Sequence, residues 1–377
     1  MQRSARLRAA FRRSVLPALS SLLVASSAHA TKYAGEFLKV PVGARAAGMG
    51  GAFTAVADDA TAIWWNPAGM IYLPYREVLP QHQEKFGKLV NHDFLGFVLP
   101  LPGPSGKQSA LGIGLIRLAV DDILTTPRPG QLQFGQFQDY GTDGIPLTYD
   151  ADLTENDGKW EPGERILSID SYLASSSQMA LLLSYARHDG PHWVFGGSVK
   201  FVHQSLPDTL FGEKATSFGA GLDAALLYMP MDAATIGVTV HDLTTTFLSW
   251  SDGVRELVRP TVDTGVSFNF YPAERHALTW ATDIGWTFEN RRFDSQVRLG
   301  EVTLEFRTGL EYWYKNTLAL RAGANAKDLT FGAGVRYKHL GVDYAAELNR
   351  FFAADESDFP NDTNLDTTHL VSASFSW

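Results

Sequence analysis

From about residue 75 to the end of the chain, apolar and polar residues alternate with the period of two that belongs to β-strands. In "HLVSASFSW", Val371, Ala373, Phe375 and Trp377 fall on one side, and Ser372, Ser374 and Ser376 on the other. "FGAGVRYKHL" sets Phe331, Ala333, Val335 and Tyr337 against Gly332, Gly334, Arg336 and Lys338. "TLALRAGANA" sets Leu318, Leu320 and Ala322 against Ala319, Arg321 and Gly323, and "EFRTGLEYWY" opposes Phe306, Leu310, Tyr312 and Tyr314 to Glu305, Arg307 and Glu311. Each strand thus has one apolar face and one polar or small face.

The pattern predicts strands near 75–84, 91–101, 108–118, 176–187, 192–204, 215–229, 233–243, 260–270, 275–288, 301–314, 317–325, 329–338, 340–349 and 368–377. The first is the weakest, because Pro80 lies in its middle and has no N–H to give a ladder. Every second link is short ("PGPSGK", "HDGP", "PMD", "PAER", "KN", "HL"), and the intervening links are mostly long: 119–175, 205–214, 244–259, 289–300 and 350–367. A soluble sandwich shows the same alternation but has no reason to keep that parity. Short turns at one end and long loops at the other, with an even strand number, belong to outer-membrane barrels, whose closure leaves no unpaired edge. The fold class is therefore all-β: a transmembrane antiparallel β-barrel of about fourteen strands with a small N-terminal plug.

The N-terminus reads differently. Residues 1–30 have the form of a cleaved signal peptide: a basic start with Arg3, Arg6, Arg12 and Arg13, an apolar run from Val15 to Ser27, and "AHA" before Thr31. The run is too short to span a bilayer. Residues 31–74 form a second segment, rich in small residues and without alternation, which fits inside a barrel mouth as a plug ahead of a barrel over 75–377. Within it, Asp58 or Asp59 is placed to cap a short helix through Ala62 and Ile63, and Asn66-Pro67 ends that helix. Trp64 and Trp65 then wedge the plug against the wall or are ordinary buried packing residues, and the chain turns toward the first strand.

The segment "FLKVPVGARAAGMGGAFTAVADDATAIWWNPAGM" resembles the opening signature of the PorV/PorQ family of outer-membrane proteins, which is similar in turn to the larger FadL-type transporters of hydrophobic solutes. The shared pieces are "GARAAGMGGAF", the acids Asp58 and Asp59, and the aromatic pair before Asn66, Pro67, Ala68 and Gly69. The likeness is tight over roughly the first forty mature residues and architectural beyond them. It implies a fourteen-stranded barrel in the outer membrane of a Gram-negative-type bacterium, with Asp58, Asp59, Trp64, Trp65, Asn66, Pro67 and Gly69 in a plug or gate. It also implies association with protein secretion of the type IX kind, with secretion-system proteins and cargo as partners. The FadL-like alternative is a channel for a hydrophobic ligand. Outer-membrane lipid and the barrel-assembly machinery are partners on either reading.

Composition narrows the field. The 377 residues hold no cysteine, so no disulfide stabilises the exported chain. A net charge of −9 argues against nucleic acid as a partner. "GPSGKQ" has the wrong spacing for a phosphate loop, "GMGGAF" lacks the third glycine of a dinucleotide fingerprint, and no G-x-S-x-G occurs. An enzyme is not expected. A barrel hydrolase assembled from separate strands is the third alternative. The inward positions (Ser, Gly, Arg, Lys, Glu) make a polar lumen, which favours protein handling over a solute channel, as does the long loop 119–175.

That loop contains "LTENDGKWEPGE", which fits an EF-hand register with Glu155, Asp157, the Lys159 carbonyl and Glu161 as ligands, Gly158 at the turn and Glu164 at the bidentate position. Leu153 stands where the first acid belongs, and Asp152 or Asp150 is near enough to replace it. The reading is a Ca2+ site in an extracellular loop; the alternative is a solvated acidic insertion. If the site is real, calcium should protect residues near 150–166 from limited proteolysis, and Glu164→Gln should abolish that protection. Equal cleavage with calcium and with chelator would leave only the acidic insertion.

Overall fold

A computed structural model of the protein describes residues 34–85, 89–101, 103, 108–125, 137–140, 157–159, 172–206, 215–288, 296–348 and 367–377. The alternating segments become β1 (Glu77–Lys85), β2 (Val90–Leu101), β3 (Ser109–Thr125), β4 (Tyr172–Asp189), β5 (Trp193–Leu206), β6 (Ala215–Met231), β7 (Ala234–His241), β8 (Thr246–Trp250), β9 (Arg255–Val258), β10 (Thr261–Ala273), β11 (His276–Thr287), β12 (Val297–Leu299), β13 (Val302–Tyr314), β14 (Leu318–Ala324), β15 (Leu329–Tyr337), β16 (Leu340–Leu348) and β17 (Thr367–Ser376). Fourteen of these close a ring: β1 to β7, then β10, β11 and β13 to β17, with β17 pairing antiparallel to β1. All fourteen staves predicted from the alternation are present.

The remaining three strands lie in links read from the sequence as loops. β8 continues along β6 beyond β7 and pairs with β9, and β12 adds to β13. β3 and β4 also run on past their expected ends, with a register shift between Val120 and Ile123, so 119–125 and 172–175 are strand rather than loop. Pro80 sits within β1. The β1–β17 ladder skips from Val78–Phe375 to Gln81–Ser372, so the missing N–H falls in an interruption at the seam. On the other side Pro80 still lies opposite Leu95 of β2.

The pleat follows the sequence phase. In β17, Val371 is 49% exposed and Ser372 is 2% exposed. Leu318, Leu320, Phe331, Val335, Leu310 and Phe306 face outward, while Arg321, Arg307 and Glu311 are buried in the lumen. Among the described residues no helix is long and apolar enough to cross a membrane; the strands present the apolar surface. Residues 34–73 form short helical turns at Glu36–Lys39, Ala44–Gly48, Ala62–Trp65 and Pro67–Tyr72, packed against the inner wall. Their side chains, led by Phe37, Met49, Phe53, Ile63, Trp65 and Met70, make the main apolar core of the molecule.

A lysine on the outward face should cost stability according to depth. Val371→Lys, at mid-strand, should lose ~2–4 kcal/mol and Phe375→Lys, near the strand end, about 1 or less, in reversible unfolding from lipid vesicles. Equal losses would mean that β17 does not run across the bilayer.

Candidate functional site: the hatch and the cavity above it

The N-terminal segment can approach the wall because the wall is bare where they meet. A side chain on Gly309 or Gly323 would collide with the backbone of Met49 and Gly50, and one on Gly196 with Pro67 and Ala68. Gly196 lies toward the short-turn end of β5, Gly309 in the middle of β13 and Gly323 toward the far end of β14.

Polar wall residues then satisfy the irregular backbone of the hatch, which has no sheet partner of its own. Asp283 Oδ2 accepts from Phe53 N and Thr54 N, each at 2.8 Å. Thr239 Oγ1 donates to the Trp65 carbonyl at 2.9 Å, Ser267 Oγ to Ala55 O at 3.1 Å, and Thr330 Oγ1 to Gly48 O at 3.2 Å. Gln81 accepts from Gly43 N, and Glu77 from Ala60 N at 2.8 Å.

A chain of alternating charges clamps the same segment. Arg45 of the hatch meets Glu311 of β13 through Nε and Nη2, both at 2.8 Å, in a two-pronged contact. Glu311 also takes Arg321 Nε at 2.6 Å; Arg321 reaches Asp343 at 2.9 Å; Asp343 takes Arg336 at 2.6 Å. The guanidinium groups of Arg321 and Arg336 lie 5.4 and 5.5 Å from the Trp313 ring, and that of Arg45 lies 5.2 Å from Phe53. A second set joins Arg307 to Asp263, with Arg307 5.9 Å from Trp65, and Lys200 to Asp223 and Asp242 at 2.9 and 2.7 Å.

The residues singled out from the sequence take particular places here. Asp58 caps no helix: it pairs with Arg45. Asp59 lies 3.3 Å from Arg45 through Oδ2, and its Oδ1 accepts from Thr61 N at 2.9 Å, so Thr61 precedes the helical turn. Trp64 and Trp65 meet edge to face at 4.6 Å and donate to Leu38 O and Val42 O, at 3.1 and 2.8 Å. They bind the hatch to itself and also meet the wall, Trp64 beside His241, and Trp65 beside Arg307 and through its carbonyl to Thr239. Asn66 is extended (φ −160°) ahead of Pro67, gives Nδ2 to Thr54 O at 2.8 Å, and caps the next turn through Ala68 N at 3.1 Å. Gly69 lies so close to the Ala57 carbonyl that no side chain fits.

Of the calcium register, Asp152, Glu155, Glu161 and Glu164 lie outside the described residues. Asp157 Oδ1 accepts from Lys159 N at 2.7 Å, and Gly158 N donates to Asp139 at 2.8 Å. Among the described residues no cluster of three or more His, Asp or Glu side chains is placed to hold a metal ion.

Above the hatch, in the half of the barrel toward the long links, lies a cavity of about 720 Å³. Leu38, Val40, Trp64, Ile116 and Leu182 give it apolar surface, and charged residues that include Lys200, His241, Asp242, Asp263 and Arg307 line the rest. The inward phase of Arg307 was legible in the strand pattern. The gathering of residues from β3 to β13 around one space was not, because it depends on the strand order.

Residues 13–100 match the model of an uncharacterised protein family, UPF0164. No curated protein matches the chain in sequence. Solved structures match over most of its length. The toluene transporter TodX of P. putida is 14% identical, with a TM-score of 0.51 over 89% of this chain and 98% of that one. The monoaromatic hydrocarbon channel CymD is 12% identical, with a TM-score of 0.51 over 90% and 98%. A Pseudomonas aeruginosa FadL homologue is 10% identical, with a TM-score of 0.44 over 88% and 97%. At such identities the likeness is one of fold, the closed antiparallel β-barrel that this chain shares with TodX and CymD.

Proposed function

We propose that the protein is an outer-membrane channel for small hydrophobic molecules, delivered by a cleaved signal peptide and not itself an enzyme. The observation that carries this is the cavity of about 720 Å³ above a stoppered lumen. It has the size of a small-molecule site, and Leu38, Val40, Trp64, Ile116 and Leu182 give it an apolar wall beside its charged residues. TodX and CymD, described as a toluene transporter and a monoaromatic hydrocarbon channel, make an aromatic hydrocarbon the first solute to test.

A polar lumen is no argument for protein handling in this molecule. Asp283, Thr239, Ser267, Thr330 and Glu311 face inward because the hatch needs donors and acceptors. The secretion reading rests on the resemblance of residues 37–70 to the PorV/PorQ signature and on a long loop that lies largely outside the described residues.

Cells whose own hydrocarbon channels are deleted should take up labelled toluene faster when they express this protein, while glucose uptake stays at background. Leu182→Glu, which puts a charge on the cavity wall, should return toluene uptake to the empty-vector rate. Uptake no faster than that rate with the native chain, in membranes that contain the folded barrel, would reject the proposal.

Removing Arg45 should loosen the hatch and leave the barrel standing. Arg45→Met leaves Glu311 buried without its hatch partner, an imbalance worth ~3–5 kcal/mol in buried pairs. Hydrogen exchange across residues 34–74 should accelerate while β13 and β14 stay protected. Unchanged exchange would show that apolar packing alone holds the hatch.

A further inference from the structure

The rim at the short-turn end carries its charge unevenly. Backbone hydrogen bonds join adjacent turns edge to edge: Lys315 N to Arg275 O at 2.7 Å, Arg336 N to Thr317 O at 2.8 Å, Ser376 N to His339 O at 2.9 Å, and Trp377 N to Arg76 O at 3.0 Å. Along this continuous arc stand Arg275, Lys315, Lys338 and Arg76, all exposed, with Glu274 as an acid among them. Among the described residues, the turns across the barrel carry Asp189, with Arg187 beside it, and Asp232.

Three of the four cations occupy backbone that disfavours them. Arg275, Lys315 and Lys338 have φ of 70°, 55° and 53°, the left-handed region that glycine and asparagine enter at least cost. Asn316, next to Lys315, is the kind of residue such a turn selects, with φ of 51°. Turn formation therefore gives no reason for a long cationic side chain at these positions.

The two lysines lean toward the lipid side. Lys315 Nζ lies 5.0 Å from the Tyr314 ring and Lys338 Nζ lies 5.3 Å from the Tyr337 ring. Tyr337 is 66% exposed and shares the outward face of β15 with Val335. Phe375 and Trp377 stack at 5.4 Å further along the arc. Aromatic rings at the end of a lipid-facing strand mark the level of the headgroups, and cations beside them sit at the level of the phosphates.

We propose that this arc is a binding surface for anionic phospholipid headgroups in the leaflet at the short-turn end. The phosphate accepts from Arg275, Lys315 and Lys338, and the acyl chains lie against Tyr314, Tyr337, Phe375 and Trp377. Cations placed over lipid-facing rings, rather than over the lumen mouth, fit a membrane partner better than a soluble one.

The test is lipid retention by the full barrel, purified from vesicles of mixed phosphatidylglycerol and phosphatidylcholine and read by native mass spectrometry. The native chain should retain phosphatidylglycerol over phosphatidylcholine, and the triple variant Arg275→Gly, Lys315→Gly, Lys338→Gly should lose that preference by roughly tenfold or more. Glycine suits the left-handed positions, so the variant should keep its heat-modifiable migration in detergent. Replacing Lys315 and Lys338 with arginine should preserve the preference. No preference in the native chain, or a preference that survives in the glycine variant, would overturn the proposal. Displacement of the retained lipid by millimolar inorganic phosphate would also overturn it, because the site would then be one for free anion.

Discussion

The interior of this barrel is governed by the need of an irregular backbone for hydrogen-bond partners. Residues 34–73 enter the lumen as short turns, whose own backbone hydrogen bonds leave a remainder of amides and carbonyls without a local partner. Water is largely excluded by Phe53, Ile63, Trp65 and Met70. The wall therefore supplies the partners, and it does so residue by residue: Asp283 for two consecutive amides, Thr239, Ser267 and Thr330 for single carbonyls. Inward polarity, bare glycines on the wall and the compact hatch are three aspects of the same requirement.

The charges follow from it. Glu311 and Asp343 each take two guanidinium contacts, and Arg321 links them. Such groups are costly to bury alone, and acceptable where each has a partner of opposite sign with good geometry. Alternation of sign along the chain from Asp58 to Arg336 meets that condition. Trp313 and Phe53 cover the flat faces of the guanidinium groups. The hatch contributes Arg45 to this chain, joined to Glu311 of the wall by two hydrogen bonds.

How much of this could be read from the sequence depended on the range of the interaction. Val371 against Ser372, or Leu320 against Arg321, differ by one position, and a period of two reveals which faces out. The parity of short and long links gave closure. Pro80 looked like a fault in the first strand because sequence does not show that its missing donor falls in a gap of the β1–β17 ladder. β8, β9 and β12 are too short for alternation to register. The Asp58 and Asp59 pair looked like a helix cap because that is the local use of an acid before "ATAI". Its actual use depends on Arg45, thirteen residues from Asp58, and on Glu311 across the lumen. Trp64 and Trp65 were expected to press on the wall, yet their indole N–H groups bind carbonyls of the hatch itself.

The distance along the chain between Arg45 and Glu311 has a consequence for assembly. The two residues are 266 positions apart, and Phe53 is 230 from Asp283. The hatch leaves the ribosome early, but its partners on β11 and β13 to β16 come into being only as the last third of the chain pairs. Contacts of such high order are slow to form, because the loop between them must close before they return any free energy. Residues 34–73 therefore complete these contacts only once β11 and β13 to β16 have been made and paired.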